Sequence, residues 1–164
     1  MELEELEKNV KTLEDINEIE NMHREFIFWL NNKQWDEMSD CFAEKAVTEM
    51  DIQGGLNGEE KNAKIFIEDF ARDDRSNIRQ LVTQPVINVE GDRAKGYWIL
   101  YSFFLIPTPP QEAQAHEIVK WVQGRYDCEY VREDGNWKFS YLKCTSPWPK
   151  SEWPDNVPEP NFWI

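Results

Sequence analysis

The sequence predicts an α+β domain in which helices come first and a run of antiparallel strands follows. Apolar residues recur every three or four positions from Ile16 to Leu30, which indicates one wide apolar face on a helix. From Ile78 onward the apolar period changes to two, and Gly-containing turns at 90–92 and 133–135 separate the strand segments. This order is typical of helices packed on one face of a curved sheet.

Each predicted element is indicated by the period of its apolar residues or by the turn residues that bound it. In chain order we predict a helix over 2–31, a short helix over 36–43, a strand over 46–52, a helix over 59–72, and strands over 79–89, 93–106, 116–132 and 137–145. The first helix is either unbroken or broken near 12–15. A Gln-Gly-Gly turn at 53–55 and a proline loop at 107–110 interrupt the pattern.

The chain divides into an N-terminal helical extension at 1–14, a domain at 15–145 and a tail at 146–164. The extension carries an apolar stripe of Leu3, Leu6, Val10 and Leu13, which either packs on the domain or forms an oligomer contact. The tail holds five of the nine prolines and three of the eight tryptophans. Such an aromatic segment is expected to lie against the body or a neighbouring subunit.

Composition excludes several functional classes. The 164 residues suit one domain, and a net charge of −14 disfavours nucleic acid and anionic membranes. No apolar run approaches the roughly 20 residues of a membrane span, and no signal peptide is recognisable. Three widely spaced cysteines, Cys41, Cys128 and Cys144, suit reduced thiols in the cytoplasm. With His23 and His116 as the two histidines, we predict no metal site and no cofactor.

The order of elements, together with three segments, resembles the SnoaL-like domains of the nuclear transport factor two-like superfamily. These segments are Trp35-Asp36-Glu37, the stretch LVTQPVINVEGDRAKGYW at 81–98, and Arg125-Tyr126 with Asp134-Gly135-Asn136-Trp137. Within that group the chain looks most like the bile acid 7α-dehydratase and scytalone dehydratase branch. The resemblance implies a cone, a cystatin-like roll in which a curved antiparallel sheet wraps around the N-terminal helices and encloses a deep apolar pocket.

The resemblance also implies where catalysis would lie, and there this chain departs from the family. Dehydratases of that branch use an Asp–His pair as acid and base. The family Asp falls on Asn31, the family His on Gln80, and a later Asp on Ser102; two pocket tyrosines fall on Phe26 and Met50. Amides do not titrate near neutral pH, although Asn31 and Gln80 can still hydrogen-bond each other. The sequence therefore gives no confident catalytic residue.

The expected ligand pocket combines the helix with the inner face of the strands. Its predicted lining is Phe26, Leu30, Asn31, Met50, Gln80, Trp98, Leu100 and Ser102. On the strand at 93–106, Tyr97, Ile99, Tyr101 and Phe103 take the opposite face, which is apolar as well. A second subunit is expected to cover that face, as a dimer or, by the resemblance, a trimer.

Other polar residues have a structural and a chemical interpretation. His23 either caps the apolar helix face or acts as a base, and His116 is expected at a rim or surface. Glu49 and Asp51 should point away from the pocket unless the strand register slips by one residue.

Two strands near the end of the chain carry further candidates. Arg125 faces solvent or holds an acidic ligand, while Tyr126 lies on an aromatic, core-facing side with Cys128, a buried and inert thiol. On the last strand Tyr141 and Lys143 share a face that could reach a pocket.

Three functions remain open from the sequence. The chain is a diverged lyase or isomerase acting on a steroid, polyketide or aromatic molecule, a carrier or sensor of such a ligand, or a structural oligomer. The first predicts a titratable group with a shifted pKa in the cavity. The second predicts neutral polar groups in a cavity of several hundred cubic ångströms, of order 300–1,000 Å³, and the third predicts no open cavity.

Overall fold

The structure, a computed structural model, describes residues 2–52, 56–72, 78–105 and 119–149. In chain order these form α1 (Leu3–Asn32), α2 (Trp35–Asp40), β1 (Phe42–Ile52), β2 (Leu56–Asn62), α3 (Ala63–Arg72), β3 (Ile78–Glu90), β4 (Arg93–Leu105), β5 (Val119–Glu133) and β6 (Asn136–Ser146). The predicted turn at 53–55, the proline loop at 107–110, His116 and the tail from 150 onward lie outside the described residues.

The predicted α+β class is confirmed: helices pack against one curved, unclosed sheet of six strands. The strand order is β2-β1-β6-β5-β4-β3, so β2 and β3 are its edges. Neighbouring strands run antiparallel except β1 and β6, which pair in parallel. The sheet is therefore mixed rather than wholly antiparallel. A parallel pair cannot be joined by a hairpin, and β1 and β6 are indeed far apart in sequence.

Three element boundaries were predicted wrongly around β1 and β2. The helix expected over 59–72 begins at Ala63, because 56–62 turns back as β2 and pairs with β1. The Asn62 side chain accepts hydrogen bonds from the amides of Lys64 and Ile65, and so caps α3 at that point. Similarly, α2 ends at Asp40, and β1 starts at Phe42 rather than at 46.

Helix α1 is unbroken over its 30 residues. Its buried side chains start at Asp15 and continue through Ile19, His23, Phe26, Ile27 and Leu30. The stripe of Leu3, Leu6, Val10 and Leu13 remains exposed, so the described part of the domain does not cover it. No helix among the described residues combines the length and apolarity that crossing a bilayer requires.

The strands alternate as predicted on β4. Trp98, Leu100 and Ser102 are buried on the face that meets α1, which we call the inner face. Tyr97 and its odd-numbered neighbours up to Phe103 point to the opposite, outer face, where they are exposed or half-buried. Pro85 falls in an irregularity of the β3–β4 pairing between Thr83 and Val86, as its missing amide requires.

Gly96 on β4 makes room for an aromatic ring on the inner face. A Cβ at this position would lie 2.8 Å from Cε2 of Tyr130 on β5. Because a methyl group cannot occupy that space, glycine lets the Tyr130 ring lie over the β4 backbone and reach Trp98, whose Nε1 donates to its hydroxyl at 2.9 Å.

A buried charge pair ties α1 to the hairpin of β5 and β6. Asp15 is almost fully buried and accepts hydrogen bonds from Arg132 on β5 and, at 3.3 Å, from Nε1 of Trp137 on β6. The Arg132 guanidinium also stacks on the Trp137 ring, 4.7 Å from its centroid. The interaction fixes the rotation of the helix over the sheet, because the carboxylate has partners on two strands.

We predict that Asp15→Ala lowers the free energy of unfolding by about 3 kcal/mol, because it leaves Arg132 without its buried partner. Glu18→Ala is the matched control: Glu18 also contacts Arg132, at 3.4 Å, but its side chain is 53% exposed. That variant should change stability by less than about 1 kcal/mol. Urea unfolding measures both, and equal losses would contradict the anchoring role of Asp15.

Candidate functional site

Asn31 joins the end of α1 to the free edge of β3. Its Nδ2 donates to the carbonyl oxygen of Gln80 at 2.8 Å, and its Oδ1 accepts from the Gln80 amide at 2.7 Å. Both main-chain groups point away from β4, so the Asn31 amide takes the place of a neighbouring strand. The helix stops directly afterwards at Lys33, whose left-handed φ of 59° ends it.

The side chain of Gln80 turns instead to the inner face. Its Oε1 accepts a hydrogen bond of 2.6 Å from the hydroxyl of Tyr126 on β5, and its Nε2 donates to Ser102 Oγ at 3.4 Å. We call Asn31, Gln80, Ser102 and Tyr126 the Gln80 cluster. The two amides at 31 and 80 are therefore neighbours, but the expected bond between their side chains is replaced by a bond from side chain to main chain.

Apolar side chains surround the Gln80 cluster. Phe26, Leu30, Trp98 and Leu100 of the predicted lining are all buried on the inner face. Met50 also packs against the core, and it shares a cross-strand row with Cys144, Tyr126 and Trp98. Seven of the eight residues predicted for a pocket thus lie on the inner side of the fold, and the Asn31 side chain lies at the edge of β3.

The Gln80 cluster is neutral. Burial, the main cause, raises the pKa of Tyr126 well above its usual value, with Cys144 and Cys128 adding to the effect. Its hydroxyl therefore keeps its proton and serves as a donor. Amides and a serine hydroxyl supply the other polar atoms. Together they offer no group that accepts a substrate proton near neutral pH.

Tyr126 is the residue of the Gln80 cluster that sequence reasoning missed. The alternation on β5 correctly put it on the core-facing side but gave it no role. Its contact spans 46 residues and crosses β4, so it depends on the pairing registers of two strand pairs. The Arg125-Tyr126 segment used for the family resemblance was the one signal that pointed to this position.

His23 is fully buried in the core and is not positioned to act as a base. The side chain is fully buried, with its ring 4.3 Å from that of Trp98 and its Nδ1 3.1 Å from the Tyr130 hydroxyl. Its Nε2 has no partner among the described residues. Burial, reinforced by Arg24, lowers the pKa of His23 to about 3, so the ring is neutral at physiological pH.

The remaining charged candidates lie on the outer face. Glu49 accepts hydrogen bonds from Tyr141 and, at 2.6 Å, from Lys143. The bonds from Lys143 and Tyr141 lower the pKa of Glu49, and the bond to Glu49 raises that of Lys143. Asp51 lies in register with Thr145 and Arg125 on the same side. Tyr141 and Lys143 are thus directed away from the Gln80 cluster.

The three cysteines are free and buried. Burial raises the pKa of Cys41 and of Cys144 to about 12, and it raises the pKa of Cys128 further. The thiols are therefore protonated and poorly nucleophilic. Among the described residues, no group of three or more His, Cys, Asp or Glu side chains is placed to hold a metal ion.

A family model described as a SnoaL-like domain matches residues 11–143. The chain belongs to this family. The fold resemblance inferred from the segments around Trp35, Trp98 and Trp137 is confirmed at the level of the SnoaL-like group within the nuclear transport factor two-like superfamily. No curated protein matches the chain in sequence.

Solved structures with the same fold include proteins that carry different names. A Mycobacterium tuberculosis protein of unknown function is 18% identical, with a TM-score of 0.68 over 83% of this chain and 73% of its own. A proposed scytalone dehydratase from Novosphingobium aromaticivorans is 17% identical, with a TM-score of 0.64 over 84% and 87%. The type 3 hexachlorocyclohexane dehydrochlorinase LinA from Novosphingobium barchaimii is 16% identical, with a TM-score of 0.65 over 84% and 90%.

At these identities the structural neighbours establish the fold alone.

We predict that Asn31→Asp destabilises the protein by about 1–3 kcal/mol, because a carboxylate has no hydrogen to donate to the Gln80 carbonyl and sets two acceptors against each other. Asn32→Asp is the matched control. Asn32 also donates to a main-chain carbonyl, that of Phe28, at 2.7 Å, but it is exposed. Its loss should be within about 0.5 kcal/mol. Urea denaturation at pH 7.5 measures the loss of stability in both variants. Equally small losses would contradict the role of Asn31 in bonding the edge of β3.

His23 makes the stability dependent on pH. The unfolded chain binds a proton at His23 below a pKa of about 6.5, whereas the folded chain does so only near 3. The contribution of neutral His23 to the free energy of unfolding is therefore complete above pH 6.5, and it is lost as the pH falls from 6.5 toward 3.

Between pH 7.5 and 5.5 this linkage should remove about 1.4 kcal/mol from the wild type. His23→Leu has no group to titrate there and should lack this part of the decrease, whatever its absolute stability. Urea denaturation of both proteins at the two pH values measures the difference. Parallel decreases would assign the pH dependence to other residues.

Proposed function

We propose that this chain is a SnoaL-like small-molecule-binding protein, diverged from lyase chemistry, that holds a compact apolar ligand against the Gln80 cluster. The observation that carries the proposal is the hydrogen-bonded set Tyr126–Gln80–Ser102 within buried apolar surroundings. Such a site suits a steroid, polyketide or aromatic molecule with one oxygen, since few polar groups in an apolar lining fix a ligand's orientation.

The polar groups favour a ligand hydroxyl or carbonyl over a charged group. Ser102 Oγ accepts from Gln80, and its own hydrogen can be donated to a ligand oxygen. Gln80 is held in place because its main chain is bonded to Asn31 and its side-chain oxygen to Tyr126. A carboxylate ligand would find no cation in the Gln80 cluster and would lose its hydration.

Binding without turnover is favoured over elimination. A dehydratase removes water and a dehydrochlorinase removes hydrogen chloride, and both reactions need a group that takes a proton. At the positions that the family resemblance assigns to acid and base, this chain has Asn31 and Gln80. The second candidate, a lyase using another base, is favoured by the two structural neighbours that carry those names.

The cytoplasm is the compartment we propose. Cys41, Cys128 and Cys144 are all unpaired and buried, which supports a reducing environment in which the fold needs no disulfide.

Titration of the purified protein with hydroxylated steroids and phenolic polyketides tests the proposal. Calorimetry and tryptophan fluorescence measure the binding. Tyr126→Phe removes the hydroxyl that positions Gln80 and should weaken binding by about 5- to 30-fold, the effect of one buried hydrogen bond. Tyr130→Phe is the matched control, because that hydroxyl lies on the same strand but bonds to Trp98. It should change the affinity by less than about 2-fold.

Mass spectrometry of the recovered ligand separates binding from turnover. We expect it unchanged after prolonged incubation. Loss of water from a ligand in the presence of the wild type, and not in its absence, would establish the lyase instead. Failure of the whole panel to bind, or equal weakening by both tyrosine variants, would refute the site.

A further inference from the structure

Helix α1 carries four large apolar side chains that nothing in the described residues covers. Leu3 is 69% exposed, Leu6 47%, Val10 46% and Leu13 66%. We call these four residues the α1 stripe. They recur at steps of three and four, so they form one row about 15 Å long on an unbroken helix. A row of this kind is typical of a helix that packs against a second helix.

The domain cannot cover the α1 stripe, because the stripe lies on the opposite side of the helix. At about 100° of rotation per residue, Asp15, Ile19 and Phe26 lie about 160–180° around the helix axis from the middle of the stripe. Those three side chains are buried within the domain. The family match begins at residue 11, so most of the stripe precedes the part of the chain that matches the SnoaL-like domain.

The α1 stripe has the spacing of a coiled-coil seam. If Leu3 and Val10 take heptad position a, Leu6 and Leu13 take position d. In a two-stranded coiled coil the a and d side chains pack against the partner helix, and the e and g side chains lie beside it. The stripe therefore presents two heptads of such a seam to solvent.

Acidic residues flank the α1 stripe. Glu7 and Glu14 occupy both e positions, and Glu2 occupies one of the two g positions. Lys8 and Lys11, the basic residues of these turns, fall at f and b, away from the seam. Because charges at e and g select the partner of a coiled coil, a helix that fits this seam carries basic residues at its own e and g positions.

The same charges disfavour other occupants of the α1 stripe. In a parallel pair of identical helices, Glu2 of one copy would face Glu7 of the other, and in an antiparallel pair the e residues Glu7 and Glu14 would face each other. The tail of this chain at 146–164 has three acidic residues and one lysine, so it is not complementary either. Helices that lie on a membrane surface carry Lys and Arg on their polar face, whereas the stripe is flanked by glutamates.

A partner helix would meet a surface that is already formed. Helix α1 is unbroken from Leu3 to Asn32, and the buried pair of Asp15 with Arg132 anchors it to the sheet. An isolated helix as short as the stripe is only marginally stable in water. Because α1 is preformed, it loses little conformational freedom on binding, and this lowers the free-energy cost of association.

We propose that the α1 stripe binds a basic amphipathic helix of another protein as a short two-stranded coiled coil. The partner helix has apolar residues at a and d and Lys or Arg at e and g. Its apolar seam packs on Leu6, Val10 and Leu13, and its cations lie beside Glu7 and Glu14.

Fluorescence anisotropy of a labelled synthetic peptide, titrated with the full chain at physiological ionic strength, tests the proposal. The peptide has about three heptads, with Leu at a and d and Lys at e and g. We expect it to bind with a dissociation constant below about 100 µM. The same peptide with Glu at e and g should bind at least about 10-fold more weakly, since each flanking pair changes from attraction to repulsion.

The double variant Leu6→Gln with Leu13→Gln separates apolar packing from charge. Glutamine keeps the helix propensity and the charge of the chain but removes two seam residues, so binding of the Lys peptide should weaken at least about 10-fold. Ile65→Gln is the matched control, because Ile65 is an aliphatic residue of helix α3 with 56% exposure. It should change the affinity by less than about 2-fold.

The double variant Glu7→Lys with Glu14→Lys tests the charge rule directly. It should reverse the preference, so that the Glu peptide binds more tightly than the Lys peptide. Circular dichroism confirms that each variant is folded.

Three results would overturn the proposal. The first is failure of the Lys peptide to bind, or equal binding of both peptides. The second is binding that the leucine variant leaves unchanged, because the attraction would then be to the net charge of −14 alone. The third comes from sedimentation equilibrium of the full chain without peptide: self-assembly that the leucine variant dissociates would place a second copy on the α1 stripe.

Discussion

The pair of hydrogen bonds between the Asn31 side chain and the Gln80 main chain decides how the inner face is built. β3 is an edge strand, so the amide and carbonyl of Gln80 that point outward would otherwise need water or another strand. An asparagine supplies one donor and one acceptor in the spacing of a peptide group. An aspartate supplies acceptors alone. Asparagine at position 31 therefore does two things: it removes a potential base, and it satisfies the two main-chain groups of Gln80 at the sheet edge. The Gln80 side chain is left free to turn to the inner face.

The two faces of the sheet use polar residues in opposite ways. On the outer face, charges are paired with charges, as in Glu49 with Lys143 and Arg125 with Asp127, where solvent limits the cost of exposing them. On the inner face around the Gln80 cluster, neutral groups are paired with neutral groups, as in Tyr126 with Gln80 and Trp98 with Tyr130, whereas Asp15 and Arg132 form a charge pair at the hairpin of β5 and β6. Burying an unpaired charge among Phe26, Leu100 and their neighbours would cost far more than a neutral hydrogen bond returns.

Sequence reasoning succeeded where a local period carries the information. The alternation of Trp98, Leu100 and Ser102 against Tyr97 and Ile99 follows from the two-residue repeat of a strand, and α1 follows from its apolar spacing. β2 was missed because LNGEEKN has no alternation, and it becomes a strand only by pairing with β1. The family resemblance brought positions 31 and 80 together, but residue identity alone could not show that Asn31 bonds to the backbone of Gln80. Tyr126 depends on registers across two strand pairs, which no local window contains.

The titratable groups buried nearest the Gln80 cluster explain why moving the base elsewhere on the inner face would not restore acid–base chemistry. His23 has its pKa lowered to about 3, so it is too weak a base to hold a substrate proton near pH 7. Tyr126 is shifted in the other direction and stays protonated. Desolvation is the leading cause in both, and it acts on any ionisable side chain placed there, since it always disfavours the charged form. An efficient base on this face would need a charged or strongly hydrogen-bonding partner to offset that desolvation. At the position where the resemblance implies such a partner, Asn31 carries no charge and its amide is already committed to the β3 backbone.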